Sequence, residues 1–509
     1  MKNYRLLMLT TLIISGCSMV YELIISAVSS YLVGDSTLHY SITIGLYMFA
    51  MGVGSYLSKF IKSDLFNWFA NIEIGVGMLG GLSSLLLFLA NLYLESYEIV
   101  MYIEIILIGT LVGAEIPILT RIIESDKRDL RITLSSLFSF DYIGGLIGSV
   151  AFPLLLLPKF GFFATCFMSG SFNLICACLI VFRYHERIKG ARFYKIVTVL
   201  LMLFMILGMI LSENISRYIE DGLYRDAVLM SEQTRYQKIV VTRHKDDVRL
   251  YIDGNVQFSS MDEYRYHEAL VHLPMSVAED KSEVLILGGG DGMAARELLK
   301  YPDTKVTLVD LDEEMTRLCS EDKVISELNQ GALSSDRVTI INTDAYEYLE
   351  KCDKKYDVII VDLPDPNNEA LAKLYSNVFY RMCGNVLEDG GVLNIQSTSP
   401  YYATKPFWCV TKTLESEGFI VTPYHLQVPA FGDWGFNMAV KEGSDLTSNV
   451  DLIKLDPGIE TRYLSEDNIS ALFKFGKDER PADGETVEIN HLTKPVMIQY
   501  YNDAVRNWE

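Results

Sequence analysis

The stretch Val284–Asp312, VLILGGGDGMAARELLKYPDTKVTLVDLD, decides the fold of the carboxy-terminal half. An apolar run, Val284 to Leu287, enters a glycine cluster; a helix-like segment starts at Met293, and a second apolar run, Val306 to Val309, ends in Asp310. Strand, turn, helix and strand follow in that order. Glycines permit positive φ and let a ligand approach the backbone, and an acid about 20 residues further on suits ribose hydroxyls. Gly288 and Gly290 are therefore expected to lie against a nucleotide or nucleoside. Asp291 adds an acid inside the glycines. A glycine cluster alone describes an ordinary tight turn; the second strand and its terminal acid, spaced as in a Rossmann-like half, favour the ligand.

Downstream, apolar runs recur at Val338 to Ile341, Val358 to Val361, Val392 to Ile395 and Ile420 to Thr422, with helical patterns between them. This alternation predicts a parallel sheet with helices on both faces, whose ligands bind beyond the carboxyl ends of the strands. That edge collects Asp291, Asp310, Asp344, Asp362 and Asp365, with no Arg or Lys expected beside them. One such Asp is readily explained as a helix cap. A whole rim reads as a site for a cation. Upstream, Tyr236 to Gln257 reads as short strands around a turn at Lys245-Asp246-Asp247, a small β layer.

The first 212 residues are of another kind. Mean hydropathy of the chain is +0.20, and the apolar excess falls into seven segments, approximately Leu6 to Val33, Ser41 to Ile61, Trp68 to Tyr93, Ile99 to Leu119, Leu134 to Leu157, Phe162 to Phe182 and Tyr194 to Leu211. Each is near the ~20 residues that cross a hydrocarbon core. Small residues such as Gly144, Gly145 and Gly148 suit close helix packing in lipid. The expected organisation is a transmembrane helical bundle over 1–212, a small β-strand domain over 213–280, a Rossmann-like domain over 281–445 and a carboxy-terminal extension over 446–509. Ile14-Ser15-Gly16-Cys17 has the form of a lipoprotein processing site, but the apolar run continues past Cys17, so an uncleaved first helix is the plainer reading. Acids within the spans (Glu22, Glu73, Glu104, Glu115, Asp141) are costly in lipid and point to cation handling or to internal pairing.

The net charge is -21, which excludes a phosphate-backbone binder, so no nucleic-acid partner is expected. The eight cysteines show no metal-ligand spacing. Basic residues at Lys2 and Arg5, Lys59 and Lys62, Arg121 to Arg131, and Arg183 to Arg192 mark cytoplasmic ends. With seven spans they place the carboxy-terminal half outside.

Tyr236-Gln237, YIDGNVQFSSMDEYRYHEALVHLPM from Tyr251, GGGDG, VDLD, VDLPDP, Leu374-Tyr375 and FGDWGF from Phe431 together resemble the polyamine aminopropyltransferases of spermidine synthase type. The resemblance covers about Tyr236 to Ala439, and the apolar half in front resembles the membrane-bound bacterial branch of that family. It implies a methyltransferase-type Rossmann sheet and transfer of the aminopropyl group of decarboxylated S-adenosylmethionine, a co-substrate, to putrescine. Neither metal nor cofactor is implied. Asp362 would accept the proton. Gln237, Gln257, Gly288, Gly290, Asp291, Asp310, Asp344 and Ala345 would bind the donor, Asp291 on its ammonium and Asp344 with Ala345 beside the adenine. Tyr266, His267, Asp365 and Tyr375 would hold the diamine. The family usually has Glu where Asp310 stands and Gly at Ala345, and Asn367-Asn368-Glu369 replaces its glycine-proline turn. Thr461 to Pro481 resembles the family's closing helix region, and Asn490 to Glu509, with Tyr500, Tyr501 and Trp508, is expected to dock on the domain or the membrane. Cadaverine or agmatine as acceptor, methyl transfer, or a membrane polyamine transporter or sensor are the rivals. A homo-oligomer is compatible with all of these. The donor's origin favours a cytoplasmic site at the cell membrane, against the loop charges.

Overall fold

The computed structural model describes residues 2–33, 36–94, 97–124, 130–224, 226–443, 453–482 and 484–506. Lys127, Arg128, Trp508 and the border expected at 445 fall outside these. The chain divides into two compact units, Met1–Val228 and Leu229–Glu509.

The first unit is helical: α1 (Lys2–Val33), α2 (Ser36–Leu57), α3 (Leu65–Tyr93), α4 (Tyr97–Glu124), α5 (Leu130–Ala151), α6 (Leu157–Arg183), α7 (Ala191–Ile210) and α8 (Ser212–Tyr224). Six stretches are long and apolar enough to cross a membrane, and the longest, Leu130–Arg183, has 54 residues. At ~1.5 Å per residue that is about 80 Å, over twice a hydrocarbon core of ~30 Å. It is broken at Gly161 (φ 69°, ψ -177°), near the start of α6, so the seven expected segments correspond to seven helices. α1 packs on α2, α5 and α6, and α2 on α4. Backbones approach closely there: a Cβ at Gly144 would sit 2.1 Å from the Leu12 carbonyl oxygen.

In the second unit, β1 (Ala227–Gln233, which begins at the border), β2 (Lys238–His244), β3 (Asp247–Ile252) and β4 (Asn255–Ser259) form a four-stranded sheet. β2 and β3 are antiparallel, and Lys245 takes φ 55° in the expected turn. Helix α9 (Glu263–Val277) leads into the larger sheet of β5 (Glu283–Gly288), β6 (Lys305–Asp310), β7 (Val338–Asn342), β8 (Tyr356–Asp362), β9 (Leu387–Gln396), β10 (Phe419–Val428) and β11 (Gly432–Lys441). Its order is β10-β11-β9-β8-β5-β6-β7. Strands β5 to β9 are parallel, but β11 pairs antiparallel with both β9 and β10. The six strands expected from the sequence, β5 to β10, run in one direction; the addition is β11, which follows β10 through a short hairpin that leaves no room for a crossover helix and so enters antiparallel between β10 and β9. The result is a Rossmann-like α/β sheet.

The buried strands carry apolar residues on both faces. On β5, Val284 and Ile286 join the core beneath α9, while Leu285 and Leu287 pack with Tyr375, Phe379 and Tyr380 on the other face. Truncating fully buried Leu287 to Ala would cost ~2–5 kcal/mol by opening a cavity. The carboxyl ends of β5, β6 and β8 lie side by side, with Gly288 opposite Asp362 and Asp310 opposite Asn342.

Candidate active site

The glycine turn is shaped by the two strands beside it. Gly288 has φ 90°, and a Cβ there would meet the Asp362 carbonyl oxygen at 2.1 Å. Gly289 N donates to that carbonyl at 3.1 Å, which ties the turn to the end of β8. Gly290 donates its amide to Asp310 Oδ2 at 3.1 Å, and a Cβ would sit 2.6 Å from the same oxygen. Asp310 Oδ1 accepts from Asp312 N at 2.9 Å. Burial raises Asp310 to about 6 against these two amides. Asp291 accepts from Met293 N, the first residue of the following helix, at 2.9 Å and is itself buried.

Asp362 ends β8 at the same rim. The Tyr266 hydroxyl, carried on α9, donates to its Oδ1 at 2.6 Å. Burial raises Asp362 to about 6; Asp291 adds to the rise, while His267 and the Tyr266 hydroxyl oppose it. His267 follows Tyr266 but turns to the core, where its Nδ1 meets Glu263 Oε2 at 2.8 Å, one helical turn earlier. Arg296 grips both oxygens of Glu263 at 2.9 Å and also reaches Glu297, whose Oε2 lies 2.8 Å from His272 Nε2. Burial alone would lower the His267 pKa, but Glu263 outweighs it and raises it to about 9. The same partners hold Glu263 down at about 2 against its burial. His267 therefore places a positive charge behind Asp362.

Asp365 lies three residues on, at the start of the loop after β8. Its Oδ1 accepts from Gln396 Nε2 at 3.4 Å; its Oδ2 accepts from Thr398 Oγ1 at 3.2 Å and from the Tyr501 hydroxyl at 3.0 Å. Burial raises its pKa and these three donors lower it. The Tyr375 hydroxyl donates to the carbonyls of Leu363 and Pro364 at 3.2 and 3.1 Å and accepts from Gln396 at 2.7 Å, so Tyr375 shapes this loop from below.

The other expected positions are more dispersed. Gln237 Nε2 donates to Asp312 Oδ2 at 3.0 Å, on the loop after Asp310. Gln257 sits on β4 with its amide on the Asn255 carbonyl at 3.3 Å, turned to its own strand. Asp344 caps the helix that Ala345 begins, through Tyr346 N at 2.8 Å. Its Oδ2 pairs with Lys373 at 2.5 Å, which corrects the expectation of a rim free of basic neighbours. Among the described residues, no Lys or Arg pairs with Asp291, Asp310, Asp362 or Asp365.

Several contributors went unread in the sequence. Gln396 and Thr398 lie just past the expected strand Val392 to Ile395, so the strand-end rule would have reached them. Glu263 stands four residues before His267 on one helix, a legible spacing. Tyr501 gave no such signal.

Residues 263–452 match the spermine/spermidine synthase domain. The polyamine aminopropyltransferase of Leptospira interrogans is 39% identical over 99% of this chain and 98% of its own length. The chain belongs to the polyamine aminopropyltransferase family. A second aminopropyltransferase, from Oceanobacillus iheyensis, is 40% identical over 97% of this chain and 96% of its own. A solved spermidine synthase in complex with the transition-state analogue AdoDATO is 27% identical, with 49% of this chain and 85% of that one covered and a TM-score of 0.44. Both aminopropyltransferases match the apolar amino-terminal half as well as the catalytic unit, so that half is a shared part of these relatives.

Proposed function

We propose that this aminopropyltransferase moves the aminopropyl group of decarboxylated S-adenosylmethionine to putrescine, forming spermidine and methylthioadenosine. The observation that carries the reading is the set of four carboxylates, Asp291, Asp310, Asp362 and Asp365, at one sheet edge without a Lys or Arg partner among the described residues. Asp310, on its two amides, would take the ribose hydroxyls, and Gly288 and Gly290 leave room for the nucleoside. Asp291 would attract the donor's ammonium and repel the carboxylate of ordinary S-adenosylmethionine, so the pair of charges discriminates twice. Asp344 and Ala345 would flank the adenine once Lys373 yields, with Gln237 and Gln257 at the nucleoside and its tail.

The amine nitrogen attacks the carbon next to sulfonium; the C–N bond forms as the C–S bond breaks, and its electron pair leaves on a neutral thioether. The leaving group is activated by its own charge, so neither a cofactor nor a metal is called for. The obstacle is the nucleophile's proton. An alkylammonium near 10.4 and an ordinary Asp near 3.9 differ by about six units, roughly 9 kcal/mol. With Asp362 at about 6 the difference shrinks to roughly 6 kcal/mol. Asp362 Oδ1 is held by Tyr266, which leaves Oδ2 for the proton. Asp365 would hold the diamine's second ammonium, with Tyr266 lining the slot, Tyr375 shaping its loop from below and His267 behind Asp362. Incubating the purified chain with each nucleoside donor and a panel of amines tests this; spermidine and methylthioadenosine are expected, and preference for the carboxylated donor or no use of putrescine refutes it.

The seven helices would cross the cell membrane, with the catalytic unit in the cytoplasm where the donor is made. Reporter fusions after Leu211 and after the last residue decide the side; an active periplasmic phosphatase at both defeats it. A second reading, polyamine movement through the bundle, is favoured by Glu73, Glu104 and Glu115, each buried with a carboxylate oxygen that has no described partner. Flux into proteoliposomes without donor is its measurement.

A further inference from the structure

We infer that Tyr501, from the carboxy-terminal helix Val496–Arg506, is a positioning residue that makes the acceptor site selective for a diamine over a monoamine. This rests on the reading of Asp365 as the partner of the acceptor's second ammonium.

The two oxygens of Asp365 are unequal. Oδ2 accepts from the Tyr501 hydroxyl at 3.0 Å and from Thr398 at 3.2 Å, whereas Oδ1 has one long contact, Gln396 at 3.4 Å. Two donors saturate one oxygen and aim the other. Thr398 has φ 56°, a conformation that strains a β-branched residue. Such strain persists only where surrounding structure fixes it, and here it brings a hydroxyl onto Asp365.

The docking of the helix does not depend on the phenol. Asn490 is fully buried and donates to the carbonyls of Ala372 and Tyr375 at 3.1 and 3.0 Å, and its own carbonyl accepts from Asn377 N at 3.0 Å. Its Oδ1 accepts from Met497 N at 3.3 Å, and Met497 is fully buried. These contacts pin the helix to the segment after the catalytic loop. The Tyr501 hydroxyl is thus free to act on Asp365, and its loss leaves the helix in place.

The test compares Tyr501→Phe, Asp365→Asn and the double variant in the full chain, with putrescine and with butylamine, which lacks the second ammonium. Tyr501→Phe is expected to raise the putrescine KM about tenfold or more, as for loss of a hydrogen bond to a charged group, with kcat little changed. Butylamine kinetics should not change, the double variant should match Asp365→Asn, and the acid limb of kcat/KM for putrescine should move to higher pH. An unchanged putrescine KM in Tyr501→Phe beside a raised one in Asp365→Asn overturns the role of Tyr501. Equal losses for putrescine and butylamine also overturn it, because a merely structural role affects both. An unchanged KM in Asp365→Asn overturns the underlying reading of that carboxylate, and the inference with it.

Discussion

The Tyr266 hydroxyl donates to Asp362 Oδ1 at 2.6 Å, from a helix whose next residue, His267, is locked to Glu263. One turn of α9 thus steadies the proposed base from two sides, by a hydrogen bond and by a charge. Burial alone would keep Asp362 protonated further into the neutral range; these partners hold it at about 6.

Tyr266→Phe removes a bond that favours the carboxylate, so the Asp362 pKa rises. The acid limb of kcat/KM, expected near pH 6 in the unmodified enzyme, should move upward. Rate-pH profiles at saturating donor measure this, and an unmoved limb would separate Tyr266 from the titrating group.

Asp362→Asn keeps the shape and removes the base. Turnover is expected to fall by ~10²–10⁴, the usual worth of a positioned acid or base. Donor affinity, measured by calorimetry, should remain within a small factor. Normal turnover in the pure variant would assign the proton elsewhere.

Gly290→Ala puts a methyl group where Asp310 Oδ2 now lies, 2.6 Å from the ideal Cβ. The carboxylate must move away from the ribose position, so the donor Kd should rise at least about tenfold, the equivalent of one lost hydrogen bond to a charged group. Thermal unfolding of the unliganded variant provides the control, since a large fall in Tm would make the loss one of folding.

Glu263→Gln breaks a buried pair on one side, leaving His267 without its carboxylate and Arg296 with Glu297 alone, and should destabilise the fold by ~3–5 kcal/mol. The pH dependence has a definite sign. His267 is raised from 6.5 to about 9, so its contribution is full below pH 6.5 and lost as pH rises through 9. Glu263 is lowered from 4.5 to about 2, so its contribution is present above pH 4.5 and lost as pH falls toward 2. Tm measured between pH 6 and 9.5 should fall more steeply for the unmodified chain than for His267→Asn; parallel curves would show that the imidazole is neutral.

The helical and sheet-bearing halves, the glycine turn and the acids at the ends of β5, β6 and β8 were legible in the order of the residues. These depend on local periodicity and on turns whose residues are adjacent in the chain, and a residue's own neighbours decide both. Tertiary structure alone decided the direction of β11, the pairing of Lys373 with Asp344, and the contact of Tyr501 with Asp365, whose positions are 136 residues apart. No local preference fixes such pairs. They form because folding brings distant segments to one sheet edge, where a buried carboxylate must find whichever donors the packing leaves within reach.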